Sequence, residues 1–492
     1  MGRHLSHGLR WSALLLVVSG SALAARSGQS PARDAAPITT GWKITFDGSG
    51  SLPVLADGAL FVGSADGALY AIDARTGSIK WRFQTGEDLV DGASTPAVVE
   101  PRSGAGLGGQ IAAGRDTMTS LARRRIRRID MEPVVENGLV FVGSGDHSFY
   151  AVDAATGRKT WSYLAGPGMA SNNSSAVPEA PAIVSDGAVY FVTEEGVHAV
   201  DAVTGARRWL FETLKTESTA PGADVRRRTP SRPVLSDGVM FVTAWPFGGA
   251  NTPRKGFVYA LEPVSGKPKW VSEIPGVFIS EAVAANGRVF VSASDPSVTE
   301  FAARASILYA LDVSTGVLKW TTRAPQGLGD TRVLAHGDRV LLTTDRVVTA
   351  LDPDSGRGVW TFGDDQIRPG VGVDGRFLYL VSSKSSRRSR PTLSSLDLST
   401  GAVRWALPVD ATIATVQDGV VYVEGDRLRA IDAASGKELW STKVDRRASA
   451  RLLAGALFIR APTVSFFGTS SVDKGYLWAL DAKTGKVNPA RK

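Results

Sequence analysis

The sequence predicts an all-β fold, a β-propeller of four-stranded blades, and three observations carry the prediction. The phrase Tyr70-Ala-Ile-Asp-Ala-Arg-Thr-Gly-Ser-Ile-Lys-Trp81 returns along the chain. Turn dipeptides such as Asp57-Gly58 and Asn137-Gly138 punctuate the stretches between copies. Eight of the twelve tryptophans close a copy of the phrase. Self-similarity of this kind marks an architecture whose units cannot bury their apolar faces alone and must pack on one another.

Residues 1–24 read as an export signal. Arg3 and Arg10 supply a positive start, Trp11 to Val18 an apolar run too short to span a bilayer, and Ala22-Leu-Ala24 a small-x-small cleavage pattern. Residues 25–40 then read as a flexible mature N-terminus and 41–488 as the propeller. No later run approaches ~20 uninterrupted apolar residues, so the mature chain is expected to lack a transmembrane segment. It is expected in the periplasm or secreted, as a monomer. The chain has no cysteine, which excludes a disulfide framework, CxxCH haem attachment and thiolate metal sites. It also excludes the lipid-bearing cysteine of a lipoprotein, leaving peripheral association with the envelope. The net charge of +8 over 492 residues reads as solubility, and an exported chain is not expected to meet nucleic acid.

Each position of the phrase has a physical reason. Tyr-Ala-Ile-Asp alternates with the period of a half-buried strand. The Asp carboxylate accepts backbone N–H groups of the following turn. A glycine then suits a positive φ in a tight hairpin; these are Gly77, Gly157, Gly205, Gly266, Gly316, Gly356, Gly401, Gly436 and Gly485. The closing tryptophans, Trp81, Trp161, Trp209, Trp270, Trp320, Trp360, Trp405 and Trp440, stand on the next strand and offer a flat surface to a neighbouring unit. Upstream runs such as Leu52-Pro-Val-Leu55 and Ala59-Leu-Phe-Val-Gly63 supply two more strands, making four per unit.

The last copy, from Trp478 to Val487, lacks its closing tryptophan, and an orphan strand, Gly41-Trp-Lys-Ile-Thr-Phe46, stands near the N-terminus. Trp42 matches the missing position. The N-terminal strand is therefore expected to complete the C-terminal blade and remove the open edges of the stack. Counted this way there are nine units, whereas propellers usually have four to eight blades; eight is the alternative.

Chemistry-bearing motifs are scarce. His147, His198 and His336 stand apart in or near strand signals, with no paired spacing for zinc. The stretch Gly104-Ala-Gly-Leu-Gly-Gly109 follows a turn rather than a strand and reads as a loop. Residues 101–131 interrupt the repeat; Ile111, Met118, Leu121, Ala122 and Ile129 fall near helical spacing. Arg115, Arg123, Arg124, Arg125, Arg127 and Arg128 crowd the remaining positions. This basic, amphipathic insertion is a partner contact for an acidic protein, peptide or lipid head group, or else a solvated helix or loop. Further insertions are Thr213–Thr229, Trp245–Lys255, Asp295–Ser306, Lys384–Arg390 and Thr463–Lys474. Such insertions gather on propeller rims.

The repeated Ala-x-Asp-x-x-Thr-Gly-x-x-x-Trp phrase, with its upstream Asp-Gly-x-Val-Phe-Val-Gly strand, resembles the pyrroloquinoline-quinone (PQQ) repeat superfamily over nearly all of residues 41–487. That resemblance implies one of two branches. Quinoprotein dehydrogenases hold PQQ and usually calcium in the propeller funnel, and many carry an adjacent cysteine pair that is impossible here. BamB-like proteins of outer-membrane β-barrel assembly bind no cofactor and act as scaffolds, although they are normally shorter lipoproteins. The expectation is an exported, BamB-like scaffold for a protein or peptide, with no catalytic residue, no metal and no cofactor. The alternatives are a PQQ- and calcium-dependent dehydrogenase, or a binder of carbohydrate or another small ligand in the funnel.

Overall fold

The computed structural model describes residues 41–486 apart from 48–49, 87–128, 130, 166–180, 194, 214–227, 247–254, 277–278, 296, 298–305, 325–330, 364–365, 385–389, 445–447 and 464–473. Every regular element among the described residues is a β-strand. In the first blade the strands Val54–Ala56, Ala59–Gly63, Ala68–Asp73 and Ile79–Gln84 are hydrogen-bonded in that order, from the axis outward. Asp57 and Gly58 link the inner two with φ of 45° and 71°, the left-handed pair that a two-residue hairpin needs. The second strand is buried throughout and the third almost so, while the outer strand is largely exposed or half-buried. That gradient follows from neighbouring blades covering both faces of the middle strands.

The third strand and the outer strand meet at the phrase's turn. The Asp73 carboxylate accepts the N–H of Arg75 at 3.0 Å and of Thr76 at 2.8 Å, and the Thr76 hydroxyl at 3.0 Å. The Gly77 N–H returns to the Asp73 carbonyl at 2.8 Å. The same closure forms at Asp312, where the Ser314 and Thr315 hydroxyls hold the carboxyl well below the usual carboxylate range. In the fourth blade Glu262 replaces the aspartate and takes the Ser265 hydroxyl instead.

Eight such blades follow the chain, at residues 54–84, 134–164, 183–212, 228–275, 283–323, 332–363, 366–408 and 411–443. The fourth departs slightly: two short segments, Arg228–Pro230 and Val234–Ser236, share its second strand. The ninth blade is made from both ends of the chain. Ser449–Leu453, Ala456–Thr463 and Lys474–Asp481 are its inner three strands, and Lys43–Asp47 is the outer one. Lys43 lies opposite Trp478, and the Gly41 N–H reaches the Ala479 carbonyl at 3.1 Å. Trp42 thus stands opposite Ala479, as Trp81 stands opposite Ala71. The nine sheets decide the blade count at nine, and the eight-blade alternative falls.

The blades dock through the tryptophans. Trp81 donates its indole N–H to Ala154 O of the second blade at 3.0 Å, and its ring lies against Gly157. Trp161, Trp209, Trp270, Trp320, Trp360, Trp405 and Trp440 repeat this on Gly205, Gly266, Gly316, Gly356, Gly401, Gly436 and Gly485. Trp42 closes the ring on Gly77, donating to Ala74 O at 3.1 Å. Ring and turn are so close that a methyl group at Gly157 would lie 2.6 Å from the Trp81 ring.

Two outcomes of substitution follow. Gly138, in a turn between inner strands, also has a positive φ (77°) but nothing within 4 Å of an added methyl group. Gly138→Ala is expected to cost about 1–2 kcal/mol, the left-handed backbone term alone. Gly157→Ala should cost about 1–3 kcal/mol more because the indole must move. Denaturant midpoints compare the two directly, and equal losses would refute the docking argument. Trp161 is the most buried of the docked indoles, at 7% exposure; Trp161→Ala is expected to cost about 3–5 kcal/mol by the same measurement.

Candidate functional site: the axial mouth

Chain direction sorts the connections onto two faces. Links from inner to second strand, and from third to outer strand, lie on one face. In most blades they are the two-residue turns and the aspartate-closed turns described above. Links from second to third strand, and from outer strand to the next inner strand, lie on the opposite face. Every gap between described segments falls in a link of this second kind, and so do the insertions recognised in the sequence. Arg123, Arg124, Arg125, Arg127 and Arg128 lie outside the described residues. Near that segment's end, Ile129 and Met131 are fully buried, and the Ile129 N–H donates to the Ser64 carbonyl at 3.0 Å. Trp245, expected to open an insertion, instead belongs to the strand Val239–Pro246 and packs against the core shared by the fourth and fifth blades.

The inner strands start on this insertion face, so their lead-in residues ring the axial mouth. Glu132, leading into the second blade, pairs with Arg451 of the ninth. These two blades are separated by the first, so the pair spans its axial edge. Arg368 of the seventh blade pairs with Asp410 at 2.9 Å, leading into the eighth. Arg460 of the ninth donates to the Gly50 carbonyl, ahead of the first blade. Glu424, next to last in the second strand Val420–Gly425 of the eighth blade, accepts the Ala450 N–H of the ninth at 2.6 Å. Burial pushes the Glu424 carboxyl up to about 7, against the opposing pull of that amide and of Arg460. Arg232, Glu281 and Arg332 stand at or just before the start of the inner strands Val234–Ser236, Val283–Ala285 and Arg332–His336 of the fourth, fifth and sixth blades. Glu281 is solvent-exposed yet hemmed in by protein, and desolvation raises its carboxyl pKa despite the nearby Arg232.

Other polar groups on this face serve packing. The Tyr150 hydroxyl donates to Asp146 at 2.6 Å and accepts the Gly86 N–H at 3.2 Å, tying the end of the first blade to the second. His198 is fully buried, stacked on Phe191, with its ring nitrogens against Thr193 and Tyr163. Desolvation depresses its pKa to about 4, so it stays neutral at physiological pH. His336 bonds the Gly375 carbonyl on the turn face. The histidines are not brought together.

Among the described residues no group of three or more His, Cys, Asp or Glu side chains could hold a metal ion. The acids of the mouth face arginines or a backbone amide. This donor set does not suit calcium, which takes several converging oxygens. The residues of the mouth lie outside the repeated phrase, so the period that marks the blades does not mark them. The available signal was a charged residue two places before the first paired inner position, as in Glu132-Pro-Val134 and Arg232-Pro-Val234.

A closed ring of blades, each locked by a tryptophan on its neighbour's turn glycine, defines a repeat propeller whose variable connections share one face. The PQQ-repeat family model described as outer membrane protein assembly factor BamB matches residues 3–123, 119–244, 193–346, 302–368 and 344–490, and the chain belongs to that family. It is 26% identical over 308 residues to an outer membrane protein assembly factor BamB of Moranella endobia, covering 58% of this chain and 71% of that protein. It is 30% identical over 140 residues to the BamB of Nitrosomonas eutropha, covering 26% of this chain and 32% of that protein. It is 25% identical over 261 residues to the quinohemoprotein alcohol dehydrogenase ADH-IIG of Pseudomonas putida, covering 50% of this chain and 32% of that protein. The chain thus spans only about a third of the length of the latter two.

The raised Glu424 carboxyl gives the mouth a pH signature. The native state holds this proton more tightly than the unfolded chain, whose carboxyl titrates near 4.5. The stabilisation is therefore complete below that pH and lost as pH rises through about 7. Glu424→Gln lacks the term, so wild-type stability should fall relative to the variant by about 1–3 kcal/mol between pH 5 and 8. Parallel denaturation curves at both pH values test this; a constant difference would show that the carboxyl titrates normally.

Proposed function

We propose that the protein is an exported scaffold that binds another protein or peptide on its insertion face, in the assembly of outer-membrane proteins. The observation that carries the reading is the segregation of the two faces. The turn face is built largely from short turns, whereas the insertion face gathers the variable connections around a charged mouth. Conserving a rigid frame while varying one face is how repeat propellers acquire partners. Membership of the BamB family supplies the setting. The leader at residues 1–24 supplies export, and without cysteine the chain reaches the envelope by peripheral contact rather than through a lipid. In this reading the propeller needs neither PQQ nor calcium.

A photo-crosslinking side chain at Lys443, exposed where the eighth outer strand reaches the insertion face, is expected to capture a component of outer-membrane β-barrel assembly. The same side chain at Lys267, exposed on the turn face, should not capture it. Equal capture from both positions would remove the face argument. Turnover of an alcohol by the purified protein with PQQ and calcium would replace the scaffold with a dehydrogenase.

A further inference from the structure

Three consecutive blades place charged side chains at one repeat position of the mouth. Arg232, Glu281 and Arg332 each stand two residues before the position that opposes the third residue of the second strand: Val234 opposite Phe241, Val283 opposite Phe290, Leu334 opposite Leu341. Their backbone is held by a relay of small hydroxyls. The Thr243 N–H donates to the Ser231 hydroxyl at 3.0 Å, and the Thr243 hydroxyl donates to the Ser280 carbonyl of the next blade at 2.9 Å. The Ser292 N–H donates to the Ser280 hydroxyl at 3.0 Å, and the Ser292 hydroxyl to the Thr331 carbonyl at 3.2 Å. Ser231, Thr243 and Ser292 are buried. The relay thus fixes the residues immediately before Arg232, Glu281 and Arg332 relative to one another, across three blades.

Other charges of the mouth are spent on protein: Glu132 on Arg451, Arg368 on Asp410, and Glu424 on the Ala450 amide. The two arginines of the arc differ. Neither the Arg232 nor the Arg332 guanidinium makes an ion pair or hydrogen bond with a described group; their bonds to protein are through the backbone, and Arg232 feels Glu281 only through space. A rigid support under unengaged guanidinium groups is the arrangement of a recognition site rather than of a structural brace. Guanidinium forks match the two oxygens of a carboxylate. Glu281 between them keeps the arc's charge at only about +1, which disfavours phosphate dianions and polyanions. It also offers an acceptor for a neighbouring N–H.

We propose that Arg232 and Arg332 clamp a carboxylate presented by an extended peptide of the partner, with Glu281 accepting an adjacent peptide N–H. The inference rests on the scaffold reading and specifies what that face recognises. It is tested with a fluorescent peptide ending in a free carboxylate and with its C-terminal amide, followed by fluorescence anisotropy on the full chain. The carboxylate form is expected to bind about tenfold tighter than the amide. Arg232→Gln and Arg332→Gln should each abolish that preference, and Arg332→Lys should retain part of it. Glu281→Gln, which removes a repelling charge and keeps an acceptor, should tighten the carboxylate peptide several-fold. Equal binding of the two peptides, no effect of the arginine variants, or weaker binding by Glu281→Gln would each overturn the proposal. So would displacement of the peptide by an equal concentration of PQQ, which would make the arc a small-molecule site. Crosslinking from Lys443 that persists in the arginine variants, with the peptide preference absent, would sink the clamp and leave the scaffold standing.

Discussion

The contact between an indole ring and a glycine with no Cβ organises the whole molecule. A tryptophan presents a flat apolar surface with one N–H at its edge. The turn of the next blade answers with a bare backbone and one carbonyl. A side chain on the turn would hold the ring off, and a residue without a donor would leave the carbonyl unserved. Because every blade carries both halves of the contact, each unit specifies its neighbour. The ring closes when the ninth tryptophan, Trp42, finds the first glycine, Gly77.

Closure requires more than docking, because the ninth blade is the only one whose outer strand is not joined to its third by a turn. In the other eight, the covalent turn is accompanied by a register shift beside the Ala–Trp pair or its Ser395–Trp405 equivalent. The N-terminal strand pairs without one, from Lys43 to Asp47. Polar contacts at the axis supplement the seam. Arg460 and Arg451 of the last blade reach Gly50 and Glu132 beside the first and second. The ends of the chain are thus tied at the rim by strand pairing and at the axis by charged hydrogen bonds, so opening the ring means breaking both.

The same topology separates frame from function. Turns that must stay short to present Asp and Gly to a neighbouring indole occupy one face, where an insertion would disturb docking. The opposite face is free of that demand in its links, and there the chain varies. Polar groups on that face divide accordingly. Tyr150 with Asp146, and His198 with Thr193 and Tyr163, satisfy one another within or between blades. The arc of Arg232, Glu281 and Arg332 is supported from below and has charge left for a ligand.

By itself the sequence determined the blade, the docking pair and the closing strand. These depend on local chemistry that repeats: alternation for strands, Asp and Gly for the turn, and a tryptophan at constant distance from the glycine. The orphan Trp42 was legible because one copy of the phrase lacked its last residue. Only the tertiary structure decided what surrounds the axis. Glu132 meets Arg451, and Glu424 meets Ala450, because the ring bends distant segments toward one point; their sequence separations carry no period that announces this. It also placed Trp245, which opens an insertion in the sequence, within a strand and against the core shared by the fourth and fifth blades. Repetition encodes contacts between neighbours, whereas a site at the axis is assembled from one or two residues of many blades.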